Sequence, residues 1–256
     1  MTKSGSNHKR GSSTNVKVLL LTAGKATRLR PLTDAIPKCL VPIAGRPLLD
    51  YWLYQFALVG VREILVNTHH LREQVGTYIN AVNNQGRFRM IEAYEPKLLG
   101  SAGTIHANRD FVHYNEDCFI VYGDNLSDVD LNALLCVHRS FGAPITMTLF
   151  HASHPKQCGI ASINGNGIIT EFVEKPRRPK NNLANAGIYA VSGEAYHEIA
   201  DMSAFDLAQD VLPKFVGRMR GWVWDGYHRD IGTPDSLAQA RRDVDTAFCT
   251  QVSDTA

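Results

Sequence analysis

The junction at Val18–Thr27 constrains this chain more than any other feature. The apolar run Val18-Leu19-Leu20-Leu21 ends abruptly in the small-residue turn Ala23-Gly24-Lys25-Ala26-Thr27. An uninterrupted apolar run of this length reads as a buried parallel strand. A strand that empties into a tight turn leaves backbone N–H groups facing outward, which makes an anion cradle. Arg28, Arg30 and Lys38 follow the turn, and three cations so close to it suit a polyphosphate. Two familiar phosphate loops are excluded. No G-x-x-x-x-G-K-[ST] run is present, and Gly24 is the only glycine where a dinucleotide fingerprint needs three.

Strand and helix signals alternate beyond the turn. Pro47–Val59 carries apolar residues at 48, 49, 52, 53 and 56 before Gly60, which predicts an amphipathic helix. Glu63–Asn67 reads as a strand, Leu71–Val82 as a helix and Phe88–Tyr94 as a strand. A glycine turn at Gly100–Gly103 leads into a short helix ending near Asn108. Cys118–Tyr122 reads as a buried strand that stops at Gly123-Asp124-Asn125. Leu131–Ser140 follows as a helix and Ile145–Phe150 as a strand. This rhythm predicts a doubly wound parallel sheet. It then breaks. Ile160–Ile163 and Ile168–Val173 flank Asn164-Gly165-Asn166-Gly167, a hairpin signal. Ala186–Val191 and Trp222–Trp224 read as further strands, and Phe205–Val216 as a helix. Pro234–Phe248 reads as a last helix, with Thr233 as N-cap. The predicted architecture is therefore a single α/β domain over 16–248 with a mixed, Rossmann-like, doubly wound sheet. A first half spans about 16–150 and a second about 151–248, between polar tails at 1–15 and 249–256.

The N-terminal segment resembles the signature of the sugar-1-phosphate nucleotidyltransferases, roughly L-x-[AG]-G-x-G-T-R-L-x-P-L-T followed by P-K-x-L-x-P-I-x-G-x-P. The match falls on Leu21, Gly24, Thr27, Arg28, Leu29, Pro31, Leu32, Thr33, Pro37, Lys38, Leu40, Pro42, Ile43, Gly45 and Pro47. The resemblance extends over about Val16–Val244 and implies the nucleotide-diphospho-sugar transferase fold, with 16–150 as its nucleotide half and 151–248 as its sugar half. One departure stands out: Ala26 occupies the place of the usual glycine two positions before Arg28. If that position needs positive φ, alanine costs about 1 kcal/mol there.

Nucleotidyl transfer joins a sugar-phosphate oxygen to the α-phosphorus of a nucleoside triphosphate and expels pyrophosphate. The nucleophile is already an anion, so the obstacle is repulsion between two polyanions, which cations and Mg²⁺ relieve. Asp124 follows a buried strand at the carboxyl end, where α/β sheets bind ligands. Asp230, in Asp230-Ile231-Gly232-Thr233-Pro234, is read as lying just beyond a strand. The resemblance makes both aspartates ligands of Mg²⁺ and places Asp124 beside the sugar phosphate. It gives Arg28 the triphosphate and Lys38 the bridge between the two phosphates, as the catalytic pair. Ala23, Gly24, Lys25, Ala26, Thr27, Asn67, Gly100, Ser101 and Ala102 are expected around the nucleotide. Gly159, Glu174, Lys175, Asn185 and Gly187 are expected around the sugar phosphate.

The segments Leu99-Gly100-Ser101-Ala102-Gly103-Thr104 and Asp206–Pro213 look like those of mannose-1-phosphate guanylyltransferases. No glutamine occurs between Glu92 and Thr104, where uridylyl- and thymidylyltransferases often carry one. The expectation is thus GMP transfer from GTP to mannose 1-phosphate or a manno-heptose 1-phosphate, for surface-polysaccharide synthesis. A uridylyl-, thymidylyl- or cytidylyltransferase is the alternative enzyme. A silent regulatory paralogue is the rival of another class, disfavoured because Arg28, Lys38, Asp124, Lys175 and Asp230 are all present.

Composition excludes other classes. The net charge is +2, and the first fifteen residues hold Lys3, Lys9 and Arg10 without an acid, so the body is nearly neutral. That argues against nucleic acid as a partner. No apolar run approaches the roughly 18 residues of a membrane span, and the polar, Gly/Ser-rich first fifteen residues lack the apolar centre of a signal peptide. Five scattered cysteines, Cys39, Cys118, Cys136, Cys158 and Cys249, fit reduced thiols in the cytoplasm. No internal repeat follows the predicted domain, so a single activity is expected. His69-His70 and His151-x-x-His154 are read as loop or nucleotide-contact residues rather than zinc ligands. Trp222 and Trp224 are read either as core or as an interface of a homo-oligomer.

Overall fold

A computed structural model describes residues 16–247. Both predicted tails, with Cys249, lie outside the described residues. The chain opens with strand β1 (Lys17–Leu21), a 3-10 turn (Thr27–Leu29) and helix α1 (Leu32–Ala35). A short ribbon, β2 (Pro42–Ile43) and β3 (Arg46–Pro47), leads into α2 (Leu48–Leu58). Next come β4 (Glu63–Thr68), α3 (Arg72–Asn84), β5 (Arg89–Tyr94) and α4 (Gly100–Ala107). Then follow β6 (Asp117–Tyr122), β7 (Asn125–Ser127), α5 (Leu131–Phe141) and β8 (Ile145–His151). The second half runs β9 (Gly159–Ile163), β10 (Ile169–Glu174), β11 (Leu183–Ser192) and α6 (Gly193–Ala200). It ends with α7 (Leu212–Phe215), β12 (Arg220–Val223), β13 (His228–Asp230) and α8 (Pro234–Ala247).

The main sheet has nine strands, in the order β10-β9-β11-β6-β1-β4-β5, with β8 beside β11 and β12 beside β8. Pairings among β6, β1, β4 and β5 are parallel, whereas β11 joins β6, β8 and β9 antiparallel. The sheet is thus mixed, and β1 is central in its parallel part. Its alternate side chains go to opposite faces. Val18 and Leu20 pack with Trp52, Phe56, Val75 and Leu134 of α2, α3 and α5. Leu19 and Leu21 pack with Ile105, Tyr196, Leu212 and Phe215 of α4, α6 and α7. Covering on both faces is why β1 is apolar throughout. The hairpin at Asn164–Gly167 joins antiparallel strands as expected.

Four features differ from the sequence expectations. The glycine stretch at Gly100 is not a turn before a helix but the first turn of α4 itself. The segment expected as one helix over Phe205–Val216 is a π-helical turn, Leu207–Val211, running into α7. Pro213 near the start of α7 lacks the N–H that a continuous α-helical ladder would use. Asp230 is not beyond a strand: it closes β13, which pairs antiparallel with β7 and sets Asp230 opposite Asn125. The third core cluster holds this ribbon in place, because Leu126 and Ile231 pack with Leu29, Val41, Leu48 and Leu237. Trp222 and Trp224 are half-buried against the core, and the Trp224 indole donates to Asp128 at 2.8 Å. Helix α6 was not foreseen. Ser192 caps it by accepting from Ala195 N–H.

Gly193 opens α6 in direct contact with the backbone of His113 and Tyr114, with no room for a Cβ. Gly193→Ala is expected to destabilise the protein by about 1–3 kcal/mol, the ordinary cost of forcing atoms into a packed interior. Denaturant unfolding measures this, and an unchanged midpoint would contradict the packing described.

Candidate active site

The carboxyl ends of β1, β4 and β6 open into a cleft of about 410 Å³. Its near wall is the turn after β1. Asn67, the fifth residue of β4, builds that turn. Its Oδ1 accepts from the N–H groups of Thr22 and Ala23 at 2.6 and 3.2 Å, and its Nδ2 donates to Glu95 and Thr104. Asn67 was expected at the nucleotide; its side chain is occupied in shaping the loop. Ala26 has φ +46°, so the position expected to favour glycine is left-handed. The amides of Gly24, Lys25 and Ala26 donate to no acceptor among the described residues. That leaves an open cradle of the kind predicted.

Lys38 is buried at the floor. Its ammonium donates to Asp124 Oδ2 at 2.8 Å and to Asp230 Oδ1 at 2.9 Å. Arg28 reaches Asp230 Oδ2 at 3.5 Å, and its side chain is 65 % exposed toward solvent. Burial raises the Asp230 carboxyl, but the Lys38 ammonium and Arg28 outweigh it and hold the pKa below the usual carboxylate range. Gly232 gives Arg28 and Asp230 room to meet, since a Cβ there would stand 2.7 Å from Arg28 Nη2. Three residues far apart in sequence therefore form one charged cluster. Two carboxylates facing one cation are a donor set that fits Mg²⁺, which takes one or two carboxylates and completes its shell with phosphate and water oxygens.

The cleft brings together Ala23, Gly24, Ala26, Thr27, Arg28, Lys38, Asn67, Gly100, Ser101 and Asp124 from the expected set. Lys25 is exposed outside this lining, and Ala102 is buried with its N–H bonded to Phe205 O. The expected sugar residues adjoin the cleft across Tyr122. Gly159 pairs with Glu174 between β9 and β10, and a Cβ on Gly159 would stand 2.5 Å from Glu174 Oε2. Burial raises the Glu174 carboxyl, partly offset by Lys175, whose Nζ lies 3.5 Å away. Gly187 has φ +68° and lies against Tyr122. Asn185 accepts from Gly187 N–H and donates to Tyr189 OH, bracing the bulge in β11.

Residues 17–247 match the family model described as nucleotidyl transferase. The chain belongs to the nucleotidyl transferase family. A Sulfolobus acidocaldarius protein, provisionally named a mannose-1-phosphate guanyltransferase, is 33 % identical over 86 % of this chain and 60 % of its own length. A UTP–glucose-1-phosphate uridylyltransferase from Synechocystis is 32 % identical over 78 % of this chain and 55 % of its own. The chain thus spans little more than half the length of these relatives. A crystal structure with bound sucrose, provisionally named a glucose-1-phosphate thymidylyltransferase of Bacillus anthracis, superposes with TM-score 0.77. It covers 89 % of this chain and 94 % of that one, at 22 % identity, which establishes the shared fold.

Sequence reasoning missed several lining residues of this nucleotidyl transferase cleft: Glu95, Leu98, Tyr122, Phe205 and Asp206. Tyr122 had a signal, since it precedes Gly123-Asp124 at the strand end. Asp206 had one too, as the first residue of the Asp206–Pro213 segment, but Phe205 had none, for this segment reaches the cleft through tertiary contacts, with Leu207 N–H donating to Ser101 Oγ at 2.7 Å. The histidines expected as loop residues serve as braces: His69 bonds Glu95 O and His70 bonds Thr33 O. Four cysteines, Cys39, Cys118, Cys136 and Cys158, are free thiols, and burial pushes the Cys39 thiol up to about 12.

The depressed Asp230 carboxyl contributes stability above its unfolded pKa, and this is lost as pH falls through the lower folded value. Lys38→Met removes the cation from between the carboxylates. The Asp230 titration, followed by carboxyl carbon NMR, is expected to move upward; an unmoved midpoint would contradict the cluster.

Proposed function

We propose that this chain transfers a nucleoside monophosphate from a nucleoside triphosphate to a sugar 1-phosphate. The observation that carries the reading is the convergence on one cleft of an open backbone cradle, Arg28, and the Lys38–Asp124–Asp230 cluster. The sugar-phosphate oxygen attacks the α-phosphorus. A new phosphorus–oxygen bond forms, the bond to the β-phosphate oxygen breaks, and pyrophosphate leaves with the electron pair. No general base is required, because the nucleophile is already ionised. The work of the protein is to place two anions in line and to neutralise them.

Each residue has a role consistent with its place. The amides of Gly24–Ala26 receive the phosphates of the donor, and exposed Arg28 holds the pyrophosphate as charge gathers on it. Lys38 neutralises phosphate oxygens beside the carboxylates. Asp124 and Asp230 would hold Mg²⁺, which supplies further neutralisation of phosphate charge when bound. Glu174, Lys175, Asn185, Gly187 and Gly159 form the acceptor side, with Glu174 accepting from sugar hydroxyls. Within this class we assign the reaction as GMP transfer to a manno-configured sugar 1-phosphate. The Asp206–Pro213 segment and the name of the Sulfolobus relative support it. The Synechocystis relative supports a second reading, uridylyl transfer.

Pyrophosphate release with Mg²⁺, across GTP, UTP, dTTP, CTP and ATP against a panel of sugar 1-phosphates, tests both levels. Release is expected with GTP and mannose 1-phosphate or a manno-heptose 1-phosphate, and Asp124→Asn is expected to lower kcat by about 10²-fold or more. Release with another pair alone would overturn the base and sugar assignment. Release that survives Asp124→Asn unchanged would overturn the site.

A further inference from the structure

A second cavity, of about 340 Å³, lies between α2 and α3, apart from the catalytic cleft. Two helical faces meet there at i, i+3, i+4 spacing: Tyr51, Tyr54 and Gln55 on α2, and Tyr78, Ala81 and Val82 on α3. Facing stripes of this kind ordinarily close on each other with apolar side chains. Here the apolar stripe is interrupted by Gln55. This residue is only 5 % exposed, and its amide makes no hydrogen bond among the described residues. Neither atom of the amide is among the fully buried atoms that lack a partner, so the amide opens to the cavity, where a ligand can reach it. The neighbouring hydroxyls bond elsewhere: Tyr78 OH donates to Asp50, and Tyr51 OH donates to Ile43 O.

From these groups we infer that the α2–α3 cavity binds a nucleotide, with the base inside and the phosphate at the mouth. The tyrosine rings and Val82 offer flat apolar walls to a heteroaromatic ring. Gln55 presents one donor and one acceptor edge, the complement of a base edge. Arg87 is exposed at the mouth beside Phe88 and has no carboxylate in ion-pair contact among the described residues. Arg46 lines the same mouth. The one carboxylate in the lining, Asp50, already accepts from Tyr78. A purely apolar ligand would leave Gln55 unpaired, and a bare anion would leave the aromatic walls unused. The volume lies at the lower end of the usual range for small-molecule sites, about 300–1,000 Å³, so a nucleoside monophosphate suits it better than a larger nucleotide sugar. The site does not depend on the reaction proposed for the cleft.

Photo-cross-linking with 8-azido-AMP and 8-azido-GMP, followed by peptide mass spectrometry on the full chain, locates binding directly. Adducts are expected in 48–58 or 72–84, competed by AMP or GMP but not by inorganic phosphate alone. Gln55→Leu and Arg87→Ala are each expected to reduce these adducts by about tenfold or more, and to leave any adduct in the cleft unchanged. Arg87 is on the surface, so its variant keeps the fold, and thermal unfolding of both variants verifies this. Adducts confined to the cleft would overturn the inference. So would α2–α3 adducts indifferent to both substitutions, and so would competition by phosphate as effective as that by nucleotide.

Discussion

The ammonium of Lys38 between Asp124 and Asp230 is the contact on which the rest of the site depends. Two carboxylates from separate parts of the chain repel each other when brought to one point. A buried cation at 2.8 and 2.9 Å from them removes that repulsion. The lysine in turn tolerates burial because both carboxylates face it. Neither partner alone makes sense of the arrangement. Removing the cation leaves adjacent anions, and removing the anions leaves a desolvated ammonium.

The fold is organised to deliver these three groups. Strand β6 carries Asp124 just past its end, and Gly123 N–H bonds Leu21 O, so the two phosphate-side segments start in register. A Cβ on Gly123 would stand 2.8 Å from Thr22, which is why the chain can pass this close to β1. The β7–β13 ribbon then brings Asp230 alongside, and the cluster around Leu126, Ile231 and Leu237 fixes the ribbon beneath α8. Helix α2 is tied to the same region, for the Trp52 indole donates to Asn125 O at 2.8 Å. The helix therefore has one side on the charged cluster and another on the cavity at Gln55.

Much of this was legible in the sequence, for identifiable reasons. Strands β1, β4 and β6 are buried on both faces and so are written as apolar runs. Asn-Gly-Asn-Gly announces its hairpin, and Pro234 with Thr233 announces α8. The turn after β1 was legible because most of its residue types follow from a single backbone geometry; Ala26 departs from them and still holds the left-handed position. Other parts left no pattern. The ribbon strand His228-Arg229-Asp230 is three polar residues long, too short for any periodicity, so the sequence alone places Asp230 after a strand rather than at its end. The role of Asn67 was invisible because its four partners lie on three other segments. Phe205 reaches the cleft only because Gly100 and Ala102 pack against its backbone.

We propose that Asp124 and Asp230 act together on a metal–nucleotide complex at Lys38. Electron paramagnetic resonance of Mn²⁺, titrated into the protein with and without a nucleoside triphosphate, tests it most directly. Nucleotide-dependent binding of Mn²⁺ is expected, and is lost when Asp124→Asn and Asp230→Asn are combined. Equal Mn²⁺ binding by the wild type and the double variant would contradict it.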